Sequence, residues 1–449
     1  MPTAERARKG CDRWHGGVRC GGVRTRSAYA AVALVCGAAA VTVAGAEKDT
    51  GGRATAMPSS LLGVAHEDGV HELVRVAPVS LRPLPGRRLR LPGPPEAWAL
   101  APDGGRLAAV TGRTLELIDT ERMRTVGRLR TRAGGSPAAV IWPRRDRLWI
   151  VLGCCAAGTT TVLTVDPIAE RVVARRRLPG GLARVAASPD GPVLLLAPSD
   201  IIGPSWLATV DAAGSVRNVP LDGVSAGRMP TGFAPSVERE RTPALAVDPH
   251  GRRAYVVSSR PYVAEVDLRR RRVIDHRLTP WRSMADRLRE LLEPSAEAAA
   301  RVGPVRDATW IGAGRIALSG HDGDAVRHPD GDVSGERRPA GLHVIDTREW
   351  TIRTLDERAS TFTAAPGLLL TGGPDGRGLA AYSPEDGERF RVLDGRDLEV
   401  VASAGPLAYA RTPPDPALHV VDLAQRRVIG TSAPGRATLL PERGGSPPR

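Results

Sequence analysis

The chain has 449 residues, 42% of them hydrophobic, and its 50 glycines and 39 prolines are typical of many short strands joined by turns. The formal net charge is +14 and comes almost entirely from arginine, yet aromatic residues make up only 4% of the chain. Nucleic-acid binding surfaces interleave basic and aromatic side chains, and no such stripe is visible, so we expect no nucleic-acid partner.

The first predicted element is a membrane-targeting segment. Residues 28–46 are uncharged and mostly apolar, follow Arg24 and Arg26, and would form a helix of about 29 Å, long enough to span a bilayer. They end in Ala-Gly-Ala at residues 44–46, which fits a signal-peptide cleavage site, so a cleaved signal and a retained anchor both stay open. The basic flank should remain in the cytoplasm, which predicts a secreted or membrane-anchored protein with the rest of the chain outside.

This segment sets the predicted domain boundaries at the N-terminal end. Residues 1–46 are the cytoplasmic basic segment plus the signal peptide or anchor, through which the chain would associate with the membrane. The polar residues 47–60 are predicted to be a linker, and residues 442–449 a flexible tail. The region between them, residues 61–441, contains the repeats.

A short phrase recurs through this region with a period of roughly 40 residues, and a short apolar run follows each copy. The copies are Ala-Leu-Ala-Pro-Asp-Gly at 99–104, Ala-Ala-Ser-Pro-Asp-Gly at 186–191 and Ala-Val-Asp-Pro-His-Gly at 246–251. Each unit predicts a strand, a turn, a second strand, a third strand that ends in Val/Ile-Asp, and an arginine-rich outer strand. Four such strands are one blade of a β-propeller.

Seven units follow one another along the chain, and their inner strands are nearly continuous apolar runs, as expected for strands buried on both faces. The units span residues 96–130, 138–178, 182–221, 243–278, 307–356, 360–395 and 398–433. The fifth unit contains a polar insertion, and the sixth is the least regular. Arginine is confined mainly to the outer strands, where sheet edges tolerate charge.

The two ends of the repeat region predict one further blade. Residues 61–65, 72–77 and 87–91 are strand-like but lack an innermost strand, whereas residues 436–440 are an innermost strand with nothing after it. Pairing them would close the ring and remove exposed sheet edges. We therefore predict an all-β fold, an eight-bladed β-propeller over residues 61–441 closed by its N- and C-terminal strands, with seven blades as the alternative.

The turns and strand endings resemble those of a known group of proteins. The Pro-Asp-Gly or Pro-His-Gly turns, with third strands ending at Asp119, Asp267, Asp346 and Asp422, resemble the bacterial YVTN-like β-propellers, which are related in pattern to WD40 and lactonase-type propellers. Since the shared residues form turns and pack strands, the resemblance implies the fold and a secreted or membrane-tethered location rather than a reaction.

Residues 282–301 interrupt the strand pattern between two units. Ser283 and Asp286 form a capping box, leucines follow at helical spacing, and Pro294 breaks the helix. We predict a short helical insertion that packs on its neighbouring blades. A lid or partner-docking element is the alternative.

Two groups of residues offer metal-ligand chemistry. His66 and His71, with acidic neighbours, fall where a hairpin turn belongs and lack a known ligand spacing, so we interpret them as a polar turn. The polar insertion contains carboxylates of the kind that calcium prefers, which are the metal candidates Asp322, Asp324, Asp330 and Asp332. These aspartates lack the spacing and the terminal glutamate of an EF-hand, and Asp-Gly pairs also form ordinary turns.

Other chemical motifs are missing from the sequence. It contains no Gly-x-Ser-x-Gly, P-loop or dinucleotide fingerprint, so we predict no catalytic residues and no cofactor. The adjacent Cys154 and Cys155 are predicted to be structural, as a vicinal disulfide or as buried thiols.

Two functions remain in competition. The first is an extracytoplasmic binding scaffold, expected to be a monomer, with a protein or glycan partner. The alternative is a propeller enzyme, a lactonase-like hydrolase or a lyase, with a site at the central channel. The positions of five residues discriminate between the two functions: His66, His250, His276, His321 and Asp322. Their convergence at the channel mouth would favour the enzyme, and their scatter over outer hairpins would favour the scaffold.

Overall fold

The computed structural model describes most of the region between residues 57 and 440. The described residues are 57–67, 69–131, 135–153, 158–199, 201–230, 236–258, 262–280, 305–323, 325–327, 333–334, 338–373, 376–412, 417–432 and 437–440. They contain 37 β-strands and no helix. No helix able to cross a membrane occurs among them. The predicted targeting segment and the predicted helical insertion at 282–301 lie outside the described residues, as do Cys154 and Cys155.

The strands form eight sheets that follow one another along the chain. The first three sheets contain β1 (Leu61–Glu67), β2 (Val70–Val76) and β3 (Leu89–Leu91); β4 (Ala97–Leu100), β5 (Arg106–Thr111), β6 (Thr114–Asp119) and β7 (Arg124–Arg130); and β8 (Pro137–Arg144), β9 (Arg147–Leu152), β10 (Thr159–Asp166) and β11 (Arg171–Pro179). The fourth and fifth contain β12 (Gly181–Ser188), β13 (Gly191–Ala197), β14 (Ile202–Val210), β15 (Val216–Pro230) and β16 (Ser236–Arg241); and β17 (Ala244–Val247), β18 (Arg253–Val257), β19 (Tyr262–Asp267) and β20 (Arg272–Arg277).

The remaining strands complete the ring. The sixth sheet contains β21 (Thr279–Pro280), β22 (Val305–Gly312), β23 (Arg315–Asp322), β26 (Arg338–Pro339), β27 (Leu342–Asp346) and β28 (Thr351–Asp356), while β24 (Ala325–Arg327) and β25 (Val333–Ser334) join the fourth. The last two contain β29 (Thr363–Ala365), β30 (Leu368–Gly372), β31 (Leu379–Ser383) and β32 (Gly387–Val392); and β33 (Glu399–Ala404), β34 (Leu407–Arg411), β35 (Leu418–Asp422) and β36 (Arg427–Thr431), before β37 (Ala437–Leu440). We call the eight sheets blades 1 to 8.

Both ends of the repeat region share blade 1, as the sequence predicts. Strand β37 pairs antiparallel with β1, placing Leu440 opposite Leu62 and Thr438 opposite Val64, and the sheet order is β3-β2-β1-β37. The irregular sixth unit is also a complete blade, β29 to β32. The eight-bladed count is therefore confirmed, and the seven-bladed alternative is wrong.

Aspartate at the end of the third strand forms the following hairpin. The Asp267 carboxylate accepts hydrogen bonds from the backbone N–H groups of Arg269 (3.0 Å) and Arg270 (2.8 Å), and Arg271 has a positive φ of 55°. These backbone donors lower the pKa of Asp267, since they stabilise its charged form. At four other aspartates, the backbone N–H groups two and three residues further along the chain donate to the carboxylate in the same way: Asp119, Asp166, Asp346 and Asp422. The repeated Val/Ile-Asp ending is thus a turn signal.

The recurrent Pro-Asp-Gly phrase adopts two different turns. The loop between β4 and β5 has five residues, 101–105, and within it the Gly104 N–H donates to the Ala101 carbonyl at 2.8 Å. Between β12 and β13, Ser188 instead pairs directly with Gly191, which leaves a two-residue turn. The apolar run begins sooner after the proline in this copy, so the strand begins sooner as well.

The hydrophobic core lies between adjacent blades. Leu117 of blade 2 packs in one cluster with Leu148 and Leu163 of blade 3, and none of the three has exposed surface. Trp149, on the other side of blade 3, belongs to a cluster shared with Leu194 of blade 4. This stacking requires the apolar inner strands that the sequence shows.

One face of the propeller has extra strands. Because strands alternate in direction, each innermost strand begins on the same face where the second strand ends, and we call this the upper face. On it the sheet of blade 4 continues from β15 to β16 and then to β24 and β25 of the blade 6 insertion. The predicted polar insertion therefore forms a sheet with the segment that joins blade 4 to blade 5.

Candidate functional site

An arginine at the start of the innermost strand of blade 6 organises the upper face. Arg306 Nη2 donates to Asp322 Oδ1 at 2.7 Å, and its Nη1 donates to the His321 carbonyl at 2.9 Å. The side chains of Arg306 and Asp322 are only 13% and 12% exposed. Water therefore screens this ion pair much less than a surface pair.

A second arginine reaches this group from blade 4. Arg184 Nη2 lies 2.8 Å from the Arg306 carbonyl oxygen and 3.0 Å from Asp307 Oδ1. Blade 5 lies between blades 4 and 6 in the ring, so these contacts link the inner strands of two blades that are not neighbours in sequence. We call Arg184, Arg306, Asp307 and Asp322 the Arg306 network.

The network also holds the strand that enters blade 5. The Arg306 N–H donates to the Thr242 carbonyl at 2.8 Å, and the Thr242 hydroxyl donates to Glu240 Oε1 at 2.8 Å. Glu240 in turn accepts a hydrogen bond from Arg228 Nη2 at 3.3 Å. Through Glu240, the end of β16 is fixed to the channel side of the propeller.

Loss of the Asp322 carboxylate is expected to destabilise the protein by about 2 kcal/mol, because Arg306 would keep a mostly buried and unpaired charge. We expect Asp322→Ala to show this loss in urea denaturation. Asp307→Ala is the matched control: Asp307 is 49% exposed, so its removal should cost less than about 0.5 kcal/mol. Equal losses in the two variants would contradict the assignment.

A half-buried histidine lies beside the network. His343 Nε2 donates to the Ala340 carbonyl at 2.8 Å, and its Nδ1 lies 3.0 Å from the Thr354 hydroxyl. Burial lowers the pKa of His343, and the nearby Arg306 charge lowers it further, against an opposing effect of the Ala340 carbonyl. The folded protein therefore favours neutral His343.

The free energy of unfolding is expected to fall as the pH is lowered from 7 to 5. In the unfolded chain His343 takes up a proton near its usual pKa of 6.5, whereas the folded state binds that proton less readily, so acid favours unfolding. Thermal melts across this range should show a smaller fall for His343→Gln than for the unaltered chain. An unchanged slope in the variant would contradict this prediction.

Of the four metal candidates, only Asp322 lies in the described part of the chain, and it forms an ion pair with Arg306. Asp322 accepts a hydrogen bond from Arg306, and Asp324, Asp330 and Asp332 lie outside the described residues. Within the described part of the chain, no group of three potential metal ligands occurs. His66 and His71 face each other across the β1–β2 hairpin with ring centroids 4.4 Å apart.

Chelation is expected to leave the melting temperature within about 1 °C, since a core of eight stacked sheets is large enough to be stable without a metal. The measurement is a thermal melt with and without EDTA. Asp330→Ala is the informative variant, because Asp322→Ala also breaks the Arg306 ion pair. A fall of many degrees with EDTA, reproduced by Asp330→Ala, would establish a calcium site.

The residues chosen to discriminate an enzyme from a scaffold are scattered. His66 lies at the β1–β2 hairpin of blade 1, and His250 lies exposed in the β17–β18 turn on the opposite, lower face. His276 lies in the outer strand of blade 5, where it stacks on Trp350 and its Nε2 lies 2.7 Å from Glu265 Oε2. His321 and Asp322, at the end of β23, are the two that lie at the Arg306 network.

Neither Arg184 nor Arg306 was predicted from the sequence as a functional residue. Arg184 lies 122 residues before its partner Arg306, and neither residue belongs to a local motif. An arginine on a predicted inner strand was the available signal, because such strands are otherwise apolar. That signal indicates a buried polar contact but does not identify the partner.

Eight consecutive sheets of mainly antiparallel strands, closed by strands from both ends of the repeat region, define the class of protein: an eight-bladed β-propeller. No protein-family model matches the chain, and no curated protein matches it either. The propeller part of the predicted resemblance is therefore confirmed, but membership of the YVTN-like group is not.

Several solved structures are similar to this chain. The dihydro-heme d1 dehydrogenase NirN, in complex with DHE, is 14% identical with a TM-score of 0.52, and the match covers 84% of this chain and 74% of that one. AztD from Citrobacter koseri is 13% identical, with a TM-score of 0.49 and coverage of 86% and 99%. BamB from Moraxella catarrhalis is 12% identical, with a TM-score of 0.44 and coverage of 80% and 97%. At such identities the likeness to NirN concerns the fold alone.

Proposed function

We propose that this protein is an extracytoplasmic β-propeller that acts as a binding scaffold and presents its upper face to a protein or glycan partner. The observation that supports this most is the shared sheet of β15, β16, β24 and β25. Closure of the ring does not require these strands, yet segments from blades 4 and 6 pair there, and the Arg306 network fixes β16. Binding residues are found disproportionately on loops that a rigid scaffold positions.

Exposed apolar side chains support the same surface. On the upper face, Ile201 directly precedes β14 and Tyr262 begins β19, and these two side chains belong to residues that are 54% and 44% exposed. A tyrosine beside polar and charged groups is the composition that protein interfaces favour. The lower face offers a matched reference in Ile168, which is 68% exposed in the β10–β11 hairpin.

The alternative is a lactonase-like hydrolase or a lyase with its site in the central channel. Such a site needs acidic and histidine side chains from several blades to converge. His66, His250 and His276 instead lie on separate hairpins or outer strands, and Asp322 is already paired with Arg306. The scaffold hypothesis is therefore the better supported of the two.

The extracytoplasmic location rests on the sequence of residues 28–46 and on Arg24 and Arg26 before them. A reporter enzyme fused after Gly444 should be active only when it is of the kind that works outside the cytoplasm. Recovery of the native chain as a soluble cytoplasmic protein would contradict the location. Cleavage at residues 44–46 would be read from the N-terminal sequence of the mature protein.

The proposed binding face is testable by site-specific photo-crosslinking in the native host. A crosslinking amino acid placed at Ile201 or Tyr262 should yield a defined adduct, whereas the same amino acid at Ile168 should yield none. Arg184→Ala, which loosens the network below the shared sheet, should reduce adduct formation. Equal adducts from all three positions, or adducts from Ile168 alone, would contradict the proposal.

A further inference from the structure

The tip of the β1–β2 hairpin in blade 1 brings two histidines together on the upper face. His66 and His71 lie directly opposite each other in the register of the two strands, which only residues 68 and 69 separate. In a hairpin with a two-residue turn, the residues next to the turn form a hydrogen-bonded pair, so His66 and His71 form the next, non-hydrogen-bonded pair, in which side chains lie closest. Accordingly, the centroids of the two imidazole rings are 4.4 Å apart, and the ring planes are inclined by 29°.

The surroundings of these two rings set them apart from three other histidines of the propeller. Among the residues that the structure describes, neither ring has a hydrogen-bond or ion-pair partner, whereas His276, His343 and His419 each have one. His66 is exposed and His71 is half-buried. Partial burial lowers the pKa of His71, and repulsion from His66 lowers it further, which favours the neutral ring. A neutral imidazole is the form that binds metals.

The acidic neighbours of the two histidines lie on the other face of the hairpin. Side chains alternate along a strand, so Glu67 and Glu72 point away from the face that carries His66 and His71. Glu72 also accepts a hydrogen bond from Arg88 at 3.3 Å. The described residues therefore offer a pair of nitrogen ligands rather than a cluster of oxygens. This donor set favours metals that prefer imidazole over calcium and magnesium, which prefer oxygen.

We propose that His66 and His71 together bind one divalent transition-metal ion of the imidazole-preferring class, such as Ni²⁺, Cu²⁺ or Zn²⁺. A metal–nitrogen bond is about 2.1 Å long, so two nitrogens bound to one ion lie within about 4 Å of each other. Rings whose centroids are 4.4 Å apart meet this condition after a small rotation of the exposed His66 side chain. Once one imidazole has bound, the hairpin holds the second at a high effective concentration. Water fills the remaining positions around the ion.

Such a site contributes little to the stability of the propeller, because it fastens a hairpin that seven residue pairs already hold together. The small effect of EDTA on the melting temperature is therefore expected with or without this site. The histidine pair also lies in blade 1 and does not involve the shared sheet of blades 4 and 6. The metal site and the proposed function can each fail without the other.

The test is the modification of histidine by diethyl pyrocarbonate in the full chain, with and without Ni²⁺, read residue by residue by peptide mass spectrometry. A ring nitrogen that binds the ion cannot react, so we expect Ni²⁺ to slow the modification of His66 and His71 by about tenfold or more. His250, exposed in the β17–β18 turn on the lower face, is the matched control, and its rate should not change. Mg²⁺ should protect none of the three.

A variant shows whether the two rings act together. In His71→Ala the remaining His66 is a single ligand, so the same Ni²⁺ concentration should no longer protect it, whereas His250→Ala should leave its protection intact. Equal melting temperatures would show that both variants are folded. If alanine lowers the melting temperature, His71→Gln, which keeps a polar side chain of similar size, provides the same test.

Loss of His66 protection in the His71 variant, together with full protection in His250→Ala, would support the metal site. Three results would overturn it: no protection of His66 by Ni²⁺, equal protection of His66 and His250, or unchanged protection of His66 when His71 is replaced.

Discussion

Deleting the chain from Pro434 onward is expected to lower the melting temperature by about 5–10 °C. The deletion removes β37, whose four residues pair with β1, so about 4 kcal/mol of ladder hydrogen bonds is lost. Leu62 and Val64, which are 8% and 5% exposed in the closed ring, would border a new sheet edge. The total loss is therefore about 5 kcal/mol or more.

The control is a chain that ends at Leu440, which keeps β37 and should melt like the complete chain. Both truncations are measured by calorimetry, with aggregation followed by light scattering, because open edges promote association. Closure by the two ends would be contradicted if the shorter truncation and the control melted at the same temperature.

The second large loss of stability is expected when Gly191, in one copy of the repeated turn, is replaced by alanine. Gly191 has a φ of 137°, and a Cβ there would lie 2.2 Å from the Val210 carbonyl oxygen and 3.1 Å from the Trp149 ring. Gly191→Ala should therefore destabilise the protein by about 4 kcal/mol, through backbone strain and overpacking. Urea denaturation measures this loss.

Gly104 is the control at the equivalent place in blade 2. Its φ of 72° also favours glycine, but a Cβ there would meet no atom within 4 Å. Gly104→Ala should cost about 1 kcal/mol, the expense of the left-handed backbone alone. If the two substitutions cost the same, the two turns would not differ as the structure describes.

Local patterns were sufficient to predict most strands. The second and third strands of blade 2, Arg106–Thr111 and Thr114–Asp119, lie where the apolar runs and turns place them. Strand ends are harder to predict, and β15 extends to Pro230, nine residues beyond the predicted unit. The extension pairs with β16, which belongs to no repeat unit, so the repeat pattern contained no signal for it.

The candidate site was only partly predictable. The insertion that contains Asp322 was recognised from its polar composition, but its carboxylate was interpreted as a metal ligand or a turn residue. The structure pairs it with Arg306, 16 residues earlier in the chain.

The sequence by itself determined the order of the blades, the closure of the ring and the hairpins that follow each Val/Ile-Asp ending, and it limited the number of blades to seven or eight. These features depend on residues close together in the chain or on a repeat, and local backbone preferences and alternating burial produce them. Only the tertiary structure decided which charged groups meet on the upper face and which strands extend the sheet of blade 4. Those outcomes depend on contacts between blades, and Arg184 and Arg306 become neighbours only when blades 4 and 6 take their places in the ring.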